Sequence, residues 1–75
     1  MSDADSYDEL VTQIADAAWD CGYKLVFVGH PEGWEAIYMR REAARRTTFA
    51  GSEIAPTRTE AAKRALAAIQ ARAAA

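Results

Sequence analysis

Two helix-start signatures stand near opposite ends of this chain, and the segment between them is punctuated for strands and turns. Ser6-Tyr7-Asp8-Glu9 and Thr57-Arg58-Thr59-Glu60 both have the form of a capping box. The hydroxyl of the first residue accepts from the amide of the fourth, whose carboxylate reaches back to the first amide. Gly22 closes the first helix where a left-handed C′ residue is expected, which predicts a helix over Tyr7 to Cys21. At about 100° per residue, Tyr7, Leu10, Val11, Ile14, Ala17, Ala18 and Cys21 share one face, a core stripe that makes Cys21 a buried, inert thiol. In the second helix, opened by Pro56 and Thr57, a face of Ala62, Ala65, Leu66, Ile69 and Ala73 is expected to pack, and Ala73-Ala74-Ala75 to fray.

Between the helices, Tyr23-Lys24-Leu25-Val26-Phe27-Val28 is β-branched and aromatic and reads as a strand. Gly29-His30-Pro31-Glu32-Gly33 is expected to be a five-residue hairpin loop carrying a solvated His30. Trp34 to Arg46 is rich in helix formers, yet Trp34, Ile37 and Tyr38 cluster early, and a returning strand over Trp34 to Arg40 is the better reading. Arg40 to Arg46 would be a basic, solvated turn, Thr47-Thr48-Phe49-Ala50 a third strand, and Gly51-Ser52 a bulge or turn. On one face of the second strand, Trp34 and Tyr38 are expected to cover the sheet. The order is α-β-β-β-α: an α+β domain with two helices packed on one face of a small antiparallel sheet. Residues 1–75 form a single domain in this reading, with 1–5 flexible.

Composition narrows the function. Of the 75 residues 51% are apolar, but 18 of these are Ala, so few large side chains are left for a core, and a net stability of about 3–5 kcal/mol is the expectation at this size. That excludes a cleft between lobes or a deep cofactor cavity. The longest apolar run, Leu25-Val26-Phe27-Val28, is far below the ~20 residues of a membrane span. The acidic start, Met1-Ser2-Asp3-Ala4-Asp5, lacks the basic and apolar regions of a signal peptide. A single cysteine allows no internal disulfide, which points to a reduced, cytoplasmic setting. One His and one Cys offer no zinc-ligand spacing, and Gly29, Gly33 and Gly51 match no phosphate-cradling loop. The expectation is a protein that is not an enzyme and uses no cofactor, metal or small-molecule substrate.

Charge is the informative feature. Residues 1–22 hold six acids and no Lys or Arg, whereas residues 23–75 hold nine basic and five acidic side chains. Glu9, Asp16 and Asp20 fall within about 40° on the helical wheel, and Asp3, Asp5 and Asp8 extend the row. The macrodipole favours acids in the first turn, but it disfavours Asp16 and Asp20 in the C-terminal half. Neither has an i±4 cation. The row reads either as a solvated helix face or as a counterfeit of regularly spaced phosphates, aimed at a basic nucleic-acid-binding protein. Trp19, off the apolar stripe, either packs sideways on the other helix or forms an aromatic anchor beside Asp16 and Asp20.

The basic side suggests a second reading. Arg40, Arg41, Arg45 and Arg46 bracket the second turn, and Arg58, Lys63 and Arg64 open the last helix. With Gly29-His30-Pro31 and Thr57-Arg58-Thr59-Glu60-Ala61-Ala62-Lys63, the α-β-β-β-α order resembles the double-stranded RNA-binding domain. In that family the loop between the first two strands and a basic cluster on the last helix meet the duplex. The resemblance implies a small nucleic-acid-binding module using these seven Arg and Lys residues. In size, Ala-rich composition and acidic face, the whole chain also looks like the anti-CRISPR proteins of phages and mobile elements. That resemblance implies a non-enzymatic inhibitor of a type I CRISPR effector in a bacterial host, its acidic helix blocking target DNA. The leading expectation is this inhibitor, the nucleic-acid-binding module is the alternative, and a small scaffold or antitoxin-like partner that uses its sheet face is a third reading.

Overall fold

The structure, a computed structural model, describes the backbone of residues 3–74 and the side chains of residues 9–43 and 45–74. The elements are α1 (Asp3–Asp20), β1 (Tyr23–His30), β2 (Gly33–Arg41), a 3₁₀ turn (Ala43–Arg45), β3 (Thr47–Ala55) and α2 (Arg58–Ala74). The strands form one antiparallel sheet in the order β1-β2-β3. The expected α+β architecture holds, and the ambiguous segment after Trp34 is a strand. Its ladder partners lie on both sides, so sheet pairing overrides its helix formers.

Several boundaries shift, and Arg40 and Arg41, expected at the start of a solvated turn, belong to β2. Helix α1 begins at Asp3, which places Ser6 inside the first turns rather than ahead of them. Early acids next to the positive end of the dipole favour this extension. The hairpin between β1 and β2 is tighter than the five-residue loop expected: His30 pairs with Gly33, leaving Pro31 and Glu32 as the connection. Gly33 takes φ +155°, and a Cβ there would run into the Ala55 carbonyl, so this position demands glycine. His30 is accordingly the last residue of β1 rather than part of a solvated loop. Strand β3 runs on to Ala55. Its bulge falls at Ala50, since Tyr38 pairs with Gly51 and Met39 with Phe49. Gly51 thus lies inside the strand, opposite Tyr38, where its missing side chain admits the tyrosine ring.

Side-chain parity splits the sheet into two faces. Tyr23, Leu25 and Phe27 of β1 and Trp34, Ala36 and Tyr38 of β2 pack with the helices. The core joins Ala18 of α1 to Ala61, Ala65 and Ile69 of α2 over Ala36, Tyr38 and Ala55. Alanines at the contacts let both helices lie close to the strands and to each other, and Ile69 is the bulkiest wholly buried side chain among the described residues. Tyr23 meets Tyr38 edge to face, with centroids 6.3 Å apart. Thr57 caps α2 as predicted, its Oγ1 accepting from the Glu60 amide at 3.1 Å. Ala62, Ala65 and Ile69 are buried as expected, and Leu66 half-buried, while Ala73 is exposed near the helix end.

Among the stripe residues of α1, the Tyr7 side chain lies outside the described residues, and two others are exposed. Leu10 is exposed. Cys21, expected to be buried, is exposed as well. The helix ends at Asp20, so Cys21 sits in the turn leading to Gly22, and helical angles no longer describe where its side chain lies. Gly22 does adopt the expected left-handed conformation, with φ +91°.

Candidate functional site: a basic groove at one end of the sheet

Short connections decide what meets at this end. Only Cys21 and Gly22 separate α1 from β1, so the end of the helix lies beside the start of the strand. The start of β1 pairs with the end of β2, Tyr23 opposite Arg40. The end of β2 in turn pairs with the start of β3, Arg41 opposite Thr47. Trp19, Lys24, Arg41, Glu42, Arg45, Arg46 and Thr47 consequently surround one open groove of about 370 Å³.

Arg41 organises the wall. Its Nη2 donates to the Trp19 carbonyl at 2.7 Å, an oxygen of the last helical turn that also accepts from the Gly22 amide at 2.9 Å. Its guanidinium lies 3.8 Å from the centroid of the Trp19 ring, a cation–π contact. Trp19 is 50% exposed: it is held from one side by Arg41 and does not pack sideways into the fold. The turn from β2 to β3 is closed by the Glu42 amide donating to the Arg46 carbonyl at 2.6 Å. Within it Arg45 has φ +66°, the one non-glycine residue with positive φ among those described. A left-handed arginine costs on the order of 1–2 kcal/mol, and such strain concentrates at functional sites.

The groove is strongly positive. Lys24, Arg41, Arg45 and Arg46 face a single acid, Glu42. Glu42 pairs loosely and in solvent with Arg40, at 3.8 Å, a contact worth little. Lys24, Arg45 and Arg46 are exposed and make no ion pair among the described residues.

The seven basic residues singled out in the sequence do not form one site. Arg40, Arg41, Arg45 and Arg46 lie at this end of the sheet. Arg58, Lys63 and Arg64 lie near the other, about 25–30 Å away along the nine residues of β3. Two of these three are used by the fold. Arg58 sits 5.4 Å over the Trp34 ring, and Arg64 donates to the Ile54 carbonyl at 2.8 Å and lies 3.9 Å from the Glu60 carboxylate. Lys63 is exposed. Lys24 stands apart in the sequence from every arginine run, so no local charge pattern marks it. The hairpin register was the signal that would have found it, since pairing Tyr23 with Arg40 brings Lys24 to the Arg41 end.

On α1, Glu9, Asp16 and Asp20 are exposed and none pairs with a Lys or Arg among the described residues. The carboxylates of Asp3, Asp5 and Asp8 lie outside the described residues.

A separate polar cluster lies at the far end of the sheet. His30 Nε2 is 2.9 Å from Glu35 Oε1. Hydrogen bonds from His30 first, and then from Ser52, hold the Glu35 carboxyl below its ordinary 4.5. Trp34 packs 3.5 Å from where a Cβ of Gly29 would stand and covers the sheet, as expected. Among the described residues no helix is long and apolar enough to cross a membrane. Comparison with known protein families, curated proteins and solved structures gives no match, so function has to be argued from the chemistry of the groove and of the acidic helix.

Proposed function

We propose that the protein is a binding module that takes single-stranded nucleic acid into the groove beside Trp19. The supporting observation is the convergence of Lys24, Arg45 and Arg46, none with an ion partner among the described residues, around a half-exposed indole that Arg41 holds in place. Cations spaced along a groove follow a phosphate backbone, and an aromatic ring offers any base a stacking surface. A double-stranded RNA-binding mode has less support. It needs the second basic cluster, which lies at the other end of the sheet with Arg58 and Arg64 already engaged. The negative α1 surface would also repel a duplex. Anisotropy of labelled single-stranded and duplex oligonucleotides tests the reading. Single strands bind at low salt, and Arg45→Glu/Arg46→Glu abolishes binding. Absence of binding to any single strand at about 50 mM salt refutes it.

A second reading rests on the acidic row. Glu9, Asp16 and Asp20 stay exposed without a paired cation among the described residues, as an imitation of phosphates requires. In this reading α1 enters the positive DNA channel of a partner such as a type I CRISPR effector and blocks target binding by competition. Asp16→Lys/Asp20→Lys would then relieve inhibition of DNA binding by the effector, while Arg45→Glu/Arg46→Glu would not. The opposite pattern returns the function to the groove.

A further inference from the structure

We propose that the open face of the sheet docks a second copy of this chain, the two sheets stacked face to face with their strands running in opposite directions. The helices cover one face only. On the other, ladder pairing fixes three rows: Lys24, Met39 and Phe49 near the groove; Val26, Ile37 and Ser52 in the middle; Val28, Glu35 and Ile54 at the far end. Six of these nine positions are apolar. Phe49 is 65% exposed and Ile54 60%, the two most exposed large apolar side chains of the described residues. A contiguous apolar sheet face of this kind marks a contact surface.

The placement of charge and bulk selects the occupant. With a twofold axis across the strands, the groove-end row of one copy lies over the far-end row of the other. Phe49 then covers the partner's Ile54, and Ile54 the partner's Phe49. Val26 and Ile37 meet their own counterparts in the middle, and Lys24 comes within one strand spacing of the partner's Glu35. With the axis along the strands, Glu35 would face the partner's Glu35 and the two arginine turns would crowd together. Like charges facing each other oppose that arrangement. The first arrangement is self-complementary, as an isologous contact must be, and aligned sheet stacking about 10 Å apart accommodates it.

The footprint sets the strength. Three strands about 4.8 Å apart, over about six residues of 3.3 Å each, give roughly 300 Å² per copy in projection. Side-chain relief enlarges this, but the total stays below the about 1,200 Å² of tight complexes. The dimer is therefore reversible, with a Kd of micromolar order or weaker.

Sedimentation equilibrium without nucleic acid, from about 10 μM to 1 mM, tests the proposal separately from the groove. The weight-average mass is expected to climb from 8.2 kDa towards twice that value. Phe49→Ser/Ile54→Lys, both at exposed positions outside the groove, is expected to stay at the monomer mass with an unchanged circular dichroism spectrum. Glu35→Lys should weaken association at least several-fold, and adding Lys24→Glu should restore it. A parent that remains monomeric at the highest concentration overturns the proposal and leaves the face to a different protein. A Phe49/Ile54 variant that dimerises as well as the parent also overturns it, by moving the contact to a strand edge. Failure of Lys24→Glu to rescue Glu35→Lys overturns the antiparallel arrangement.

Discussion

Salt dependence is the sharpest probe of the groove, because its cations and its ring contribute in different ways. Each phosphate neutralised on a single strand adds about 0.7 to the slope of log K against log salt. Lys24, Arg45 and Arg46 have no ion partner among the described residues and can do this, whereas Arg41 is committed to the Trp19 ring and carbonyl. A slope of about −2 follows. Relative to 1 M salt, one such contact is worth about 0.6 log units at about 0.15 M, or roughly fourfold in affinity. The triple variant Lys24→Ala/Arg45→Ala/Arg46→Ala should bind about 50-fold more weakly there, and its slope should fall close to zero. Trp19→Leu should instead lose about 1–3 kcal/mol of base stacking with the slope unchanged. Anisotropy of a labelled oligothymidylate from about 0.05 to 0.3 M potassium chloride measures both quantities. If the triple variant keeps the parental slope, the phosphates lie elsewhere and the groove reading collapses.

Four further outcomes concern the fold. A Cβ at Gly51 would stand 2.5 Å from the Tyr38 hydroxyl and 2.6 Å from its Cζ. Because that ring is buried, Gly51→Ala should cost about 1–3 kcal/mol, lowering Tm by roughly 4–8 °C per kcal/mol in a thermal scan. Ile69 is wholly buried, and Ile69→Ala should remove about 2–5 kcal/mol in urea unfolding. Arg41→Ala deletes the contact with the Trp19 ring and the bond to its carbonyl, a loss of about 1–2 kcal/mol by the same assay. Glu35 has a folded pKa below its ordinary 4.5. Its ionised form thus stabilises the fold above about pH 4.5, and that contribution disappears as pH falls through the lower folded value. Carboxyl NMR titration should show Glu35 moving back up in His30→Ala/Ser52→Ala, and Glu35→Gln should flatten the acid limb of the stability profile.

How legible was this in the chain? Both helices, all three strands and the antiparallel order were, since capping residues, β-branched runs and glycine turns are local signals read within a few residues. The Thr57 cap and the left-handed Gly22 came out as written. Some of the errors fell where local signals end. Cys21 was projected along a helix that stops at Asp20. The loop at Gly29–Gly33 was too long by the residues that pairing recruits into the ladder.

The site divides in the same way. Sequence alone determined the charge asymmetry, the acidic row on α1 and the arginine-rich turn, because residue identity and helical periodicity fix them. It could not determine that Trp19, Lys24 and Arg46 share a groove, or that Arg58 and Arg64 are occupied elsewhere. Nor could it determine that the two basic clusters lie at opposite ends of the sheet. Those facts depend on strand register and on which helix end abuts which strand. Such long-range pairings are chosen by core packing across the whole fold, and no short stretch of the chain records them.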